Sequence, residues 1–113
     1  MQNNLLKKKC VPCEGKVDPF LPEEARNYMP DVPGWVLADN AKSVEREFKF
    51  TDFIGAINFI NNVADIAESE GHHPDIEIHY NKVKLTLTTH SIGGLSENDF
   101  IVAAKISELK PSF

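Results

Sequence analysis

The sequence predicts an α+β fold, a four-stranded antiparallel sheet with helices on one face, in the order α-β-β-α-β-β-α. Three observations predict it. Apolar residues recur every three or four positions across 53–67, alternate every second position across 44–50, 76–80 and 83–87, and the strand segments come as adjacent pairs joined by short polar turns. Two hairpins divided by one long amphipathic helix bury their apolar faces most simply as a sheet layer under a helix layer.

Residues 1–20 are polar and cationic, contain Pro12, Gly15 and Pro19, and show no sustained period, so they read as an N-terminal extension or loosely docked arm. The remaining residues, 21–113, form a single α+β domain. Its first element is a helix of about two turns over 21–29, with Pro22 and the acids Glu23 and Glu24 where a first turn favours them and Pro30 closing it. Pro33-Gly34 is a turn, and Trp35-Val36-Leu37 begins a short strand that ends at Asp39-Asn40. Val44, Arg46, Phe48 and Phe50 then alternate with Glu45, Glu47 and Lys49, which completes a hairpin.

From Thr51 the period becomes helical. Phe53, Ile57, Ile60, Ala64 and Ala67 form a stripe widened by Ile54 and Val63, with Thr51 or Asp52 as the N-cap and Gly71 as a left-handed stop. The helix spans about 27 Å at 1.5 Å per residue. Ile76, Ile78 and Tyr80 make the next strand, Asn81-Lys82 the turn, and Val83, Leu85 and Leu87 the strand after it. Gly93-Gly94 ends that strand. Ser96-Glu97-Asn98-Asp99 has the spacing of a capping box and opens a helix carrying Phe100, Ala103, Ala104, Ser107 and Leu109, ended by Pro111.

The chain has 113 residues, 42% apolar and 26% charged, with 12 Lys and Arg against 17 Asp and Glu for a net charge of -5. That is a single globular domain able to bury its own core. Beyond Lys7-Lys8-Lys9 there is no basic stripe, which argues against nucleic acid as a partner. No apolar run approaches the roughly 20 residues of a membrane span. The N-terminal charge follows a very short apolar pair, the wrong order for a secretory signal, so the expected location is the cytoplasm.

Cys10-Val-Pro-Cys13 admits three readings: a small apolar anchor in the extension, a redox couple, or half of a zinc site. Zinc normally takes four ligands and no second C-x-x-C exists, and the pair does not lie between a strand and a helix as a thioredoxin-type motif would. The anchor is the reading favoured here.

The chemistry concentrates around Glu68-Ser69-Glu70-Gly71-His72-His73-Pro74. A helix C-terminus favours imidazolium just beyond it, and Pro74 drives His73 toward extended geometry, in which neighbouring side chains point apart. One histidine can then face a pocket while the other lines its rim. The bland reading, a polar helix stop, stays open. His90 shares a strand face with Lys84, Thr86 and Thr88, opposite the apolar set, so it is not core. His79 reads as a solvated strand residue. Asp99 stabilises a helix start and can also hold a histidine in one tautomer. Three imidazoles and a carboxylate suit either proton transfer or a metal, but no H-x-x-x-H pair is present and adjacent histidines rarely share one ion. Trp35 is core by habit of the residue, with an aromatic wall for a flat ligand as the alternative.

Glu68-x-x-x-His72-His73-Pro74, Tyr80-Asn81-Lys82-Val83, Thr89-His90 and Gly93-Gly94-Leu95-Ser96-x-x-Asp99 together resemble the signature of the pterin-4a-carbinolamine dehydratases. Pro33-Gly34-Trp35 and Phe48-x-Phe50-x-Asp52-Phe53 resemble that family as well, and the likeness runs over residues 20–109. The resemblance implies dehydration of 4a-hydroxytetrahydropterin to quinonoid dihydropterin, recycling the pterin of aromatic amino acid hydroxylases. It implies His72 and His90 as acid and base, His73 positioning or stacking on the pterin, and Asp99 orienting a histidine. Trp35 and Pro74 would flank the ring, with Glu68, Thr89 and Ser91 beside it. It further implies no metal or redox cofactor, and a homodimer or homotetramer built through sheet edges and the long helix. The alternative is a non-catalytic binding, assembly or transcription-cofactor protein on the same scaffold.

Overall fold

The computed structural model describes residues 4–11 and 17–109, so Cys13 of the C-x-x-C pair and Pro111 lie outside the described residues. The elements are α1 (Pro22–Tyr28), β1 (Val36–Leu37), β2 (Val44–Lys49), α2 (Phe53–Glu70), β3 (Asp75–His79), β4 (Lys82–Leu87) and α3 (Glu97–Ser107). This is the α+β order read from the sequence.

Each boundary has a local cause. Glu24 accepts the Leu21 N–H at 2.8 Å and so caps α1. Pro30 does not stop the helix outright, because the chain tightens into a 3-10 turn, Met29–Asp31, whose opening positions require no donor from proline. The Asp52 carboxylate accepts the Gly55 N–H at 2.8 Å and opens α2. Gly71 closes α2 in the left-handed region at φ 66°.

The sheet order is β1-β2-β4-β3, with every neighbouring pair antiparallel. Val44 stands opposite Leu87 and Phe48 opposite Val83, so the apolar faces of the two hairpins coincide. Val83, Leu85 and Leu87 are wholly buried beneath the helices. β1 and β3 are the edges, and Ile76 on β3 is 41% exposed.

The covered stripe of α2 is Ala56, Phe59, Val63 and Ala67, which differs from the expected one. Phe53, Ile54 and Ala64 face outward. The helix is apolar around more than half its circumference, so a period of 3.6 residues fits two adjacent stripes, and packing on the sheet selects one. Helix α3 is covered on nearly every side, with Asn98 to Ala104 and Ile106 all buried. Phe100 stacks on Phe20 and Tyr28, which ties α3 to α1, and Phe59 meets Phe48 and Phe50, which ties α2 to β2 and its end.

The arm is not loosely docked where it is described. Leu5 is 4% exposed and belongs to the core, at the start of a 3-10 turn, Leu5–Lys7, that packs on α3.

Candidate active site

The end of α2 delivers His72. The N–H groups of Gly71 and His72 both reach the Ala67 carbonyl, which turns the chain back toward the start of α3. There the His72 Nε2 lies 2.6 Å from Asp99 Oδ1, with the His72 side chain 12% exposed and that of Asp99 0%. The second oxygen, Asp99 Oδ2, accepts from the Thr89 hydroxyl at 2.8 Å and from the Ser96 N–H at 3.0 Å. The Thr89 and Ser96 hydroxyls are themselves 2.8 Å apart. Asp99 is therefore capping box and histidine partner at once, and a buried carboxylate with both oxygens hydrogen-bonded is what keeps such a group tolerable in the interior.

The turn after β4 positions the opposite wall. Thr89 pairs with Gly94 across a tight loop, its N–H reaching the Gly94 carbonyl at 2.8 Å. A Cβ on Gly94 would stand 2.7 Å from Pro19, so this close approach requires glycine. The intervening 3-10 turn, His90–Ile92, carries His90 outward: its side chain is 71% exposed, and Nε2 is 3.7 Å from Asp75 Oδ2, beyond hydrogen-bond length. His73 reaches back to Glu68, Nε2 to Oε2 at 2.5 Å, with both groups exposed.

His72, His73, Thr89, His90 and Ser91 line one cavity of about 440 Å³, a size that suits a single small ligand. Asp99 stands behind His72, and Glu68 holds His73 from outside. Pro74 follows His73, half-buried, outside the lining. Trp35 is elsewhere, a correction to its expected place at the site. It is 4% exposed, edge-on to Phe48, and its Nε1–H donates to Ser107 Oγ at 3.0 Å at the far end of α3, about 12 Å along the axis from Asp99. The indole fills the core and finds its polar partner there, so nothing directs it to the cavity.

Six further residues line the cavity that the sequence reading did not assign to the site: Cys10, Val11, Glu70, Gly71, Thr88 and Asn98. The arm reaches the site because a chain of contacts fixes it. Glu70 Oε1 accepts the Cys10 N–H at 2.9 Å, and Lys105 Nζ donates both to Glu70 Oε2 at 2.5 Å and to the Lys8 carbonyl at 2.7 Å. Burial pushes the Glu70 carboxyl up, but the Lys105 hydrogen bond and charge and the Cys10 N–H outweigh it and hold it below the ordinary range. The Cys10 thiol donates to the Asn98 carbonyl at 3.6 Å, and burial, with Glu70 nearby, pushes it up to about 12. A thiol so placed stays protonated at neutral pH and is a poor nucleophile or metal ligand. Among the described residues, no group of three or more His, Cys, Asp or Glu is arranged to hold a metal ion.

Chemically, the arrangement offers proton transfer. With His72 in the tautomer that donates Nε2–H to the Asp99 carboxyl, Nδ1 is left as the nitrogen that can give or take a proton. His90, across the cavity and open to water, can serve as the complementary group.

A family model described as pterin 4 alpha carbinolamine dehydratase matches residues 18–109. A protein of Halorhodospira halophila is 45% identical over 106 residues, 94% of this chain and 97% of its own length. One of Nitrosomonas eutropha is 47% identical over 107 residues, 94% and 93% of the two chains. One of Aromatoleum aromaticum is 40% identical over 112 residues, 99% of this chain and all of its own. All three carry pterin-4-alpha-carbinolamine dehydratase as a provisional name. Among solved structures, the transcriptional coactivator/pterin dehydratase from Brucella melitensis is similar with a TM-score of 0.74 at 34% identity, over 80% of this chain and 96% of that one. A pterin dehydratase-like protein identified as a RuBisCO assembly factor in the alpha-carboxysome is similar with a TM-score of 0.56 at 21% identity, over 67% and 88% of the two chains, a likeness of fold alone.

Proposed function

The chain belongs to the pterin 4 alpha carbinolamine dehydratase family, and from that premise we propose that it removes water from 4a-hydroxytetrahydropterin to give quinonoid dihydropterin. The step is redox-neutral: the carbon–oxygen bond breaks as an acid delivers a proton to the leaving hydroxyl, a base takes a ring N–H proton, and the freed electron pair forms the new carbon–nitrogen double bond. Two groups of opposite protonation, facing one another across a flat ligand, are what this requires.

The observation that carries the reading is the 2.6 Å contact between His72 and the fully buried Asp99, at the wall of a cavity that His90 also lines. Asp99 fixes the His72 ring and stabilises its protonated form as charge develops. We assign the acid-base pair to His72 and His90, positioning of the ring to His73, and polar contacts to Thr89 and Ser91. Pro74 and Glu68 shape and hold the His73 side. The proposed role is to return the pterin used by an aromatic amino acid hydroxylase to its cycle.

The test is the rate of 4a-hydroxytetrahydropterin dehydration, followed by ultraviolet absorbance in metal-free buffer, for the native protein and for His72→Ala and His90→Ala. The native protein is expected to exceed the uncatalysed rate, and each variant to lose about 10²- to 10⁴-fold of that advantage. A native rate equal to the uncatalysed one would remove the enzyme reading and leave a binding or assembly role on this scaffold.

A further inference from the structure

The cavity has a wall that the proposed chemistry does not use. Cys10 and Val11 reach it from the N-terminal arm, and the arm is clamped to both helices that carry the site. Lys8 forms an ion pair with Glu97 at 2.8 Å and gives its carbonyl to Lys105; Cys10 gives its N–H to Glu70. Asn98, 4% exposed, uses both ends of its amide on Val11: Oδ1 accepts the Val11 N–H at 3.0 Å and Nδ2 donates to the Val11 carbonyl at 2.6 Å. Asn98 is the immediate neighbour of Asp99, so the arm is registered against the residue that orients His72.

The residue whose backbone is fixed in this way leaves its side chain largely open to solvent. Val11 is 64% exposed, while a buried amide holds its backbone N–H and carbonyl. Among the described residues it is also the one cavity-lining residue with a branched aliphatic side chain; the others are histidines, hydroxyl residues, Cys10, Glu70, Gly71 and Asn98. A pterin presents hydrogen-bonding groups around its bicycle and a carbon substituent at ring position 6. The polar groups of the cavity suit the bicycle, which leaves the substituent to meet Val11.

We infer that residues 8–11 form a clamped wall of the site, that Val11 makes the apolar contact with the carbon chain at position 6 of the pterin, and that Asn98 is the positioning residue that sets it there. The inference rests on the pterin reading above and names the part of the substrate that this chain selects. The arm then sets substrate preference, while the proton-transfer groups lie on the other walls.

Equilibrium binding separates this inference from the reaction itself, because stable 7,8-dihydropterins bind without turning over. Fluorescence titration of the full chain would compare 7,8-dihydropterin with its 6-(1,2-dihydroxypropyl) derivative, for the native protein, Val11→Ala and Asn98→Ala. The native protein is expected to bind the substituted ligand more tightly. Val11→Ala should reduce that preference about threefold to tenfold, as partial loss of contact with two methyl groups implies. Asn98→Ala should reduce it similarly and, in the dehydration assay, raise KM for the substituted substrate more than for the unsubstituted one. Thermal melting shows whether Asn98→Ala folds; if it does not, the exposed Val11 decides. A preference unchanged in Val11→Ala overturns the inference even if dehydration is fast. A native protein that prefers the substituted ligand yet does not dehydrate keeps the wall and loses the reaction, and one that binds neither ligand loses both.

Discussion

At the scale of single atoms, Asp99 settles what His72 can do. Its Oδ1 holds Nε2 while Oδ2 is occupied by Thr89 and Ser96, so the carboxylate cannot swing away and the imidazole cannot flip without breaking a satisfied buried network. Replacing Asp99 with Asn keeps the shape but offers an amide that can present N–H₂ to Nε2 in place of an acceptor oxygen. We expect Asp99→Asn to lower kcat by about 10²-fold or more while the protein stays folded. Stopped-flow dehydration and a circular-dichroism melt on the same sample check it, and a folded variant with native kcat would remove Asp99 from the mechanism. The Ser96-to-Asp99 spacing makes the cap legible in the sequence by itself, because capping is local. The His72 contact spans 27 positions, and in the sequence Asp99 reads only as able to hold a histidine, without saying which.

At the scale of elements, the helices and strands can be read because each is announced within a few residues: Asp52 and Gly71 bracket α2, and alternation marks β2 and β4. What cannot be read is which of two adjacent apolar stripes on α2 meets the sheet, since the two differ by one step around the helix. Nor does the sequence place the arm, because its contacts join residues 8–11 to residues 70, 97, 98 and 105, and no local period records such pairs. The clamp is pH-sensitive with a definite sign. The Glu70 carboxyl is held below its ordinary range in the folded chain, so its contribution is present above the unfolded value of about 4.3 and is lost as pH falls through the lower folded value. Amide hydrogen exchange at Cys10 and Val11, corrected for intrinsic rates, should therefore be slow near about pH 6 and accelerate below about pH 4. Equal protection at both would mean that the pair with Lys105 does not hold the arm.

At the scale of the whole molecule, apolar residues stand exposed at a sheet edge and on a helix face. The β3 edge carries exposed Ile76, and the outer face of α2 carries Phe53 and Ile54, 46% and 62% exposed. An unpaired edge and an apolar helix face are both surfaces that proteins usually cover. We propose a homodimer or homotetramer formed through them, so light scattering should give a mass of two or four chains, and Ile54→Glu or Ile76→Lys should lower it. A monomeric native mass would count against assembly. No described helix is long and apolar enough to cross a membrane.

The double use of Asp99 reaches beyond the reaction. The same carboxylate closes the first turn of α3 through the Ser96 N–H and seats His72, so fraying of that turn and loss of the seated imidazole are one event.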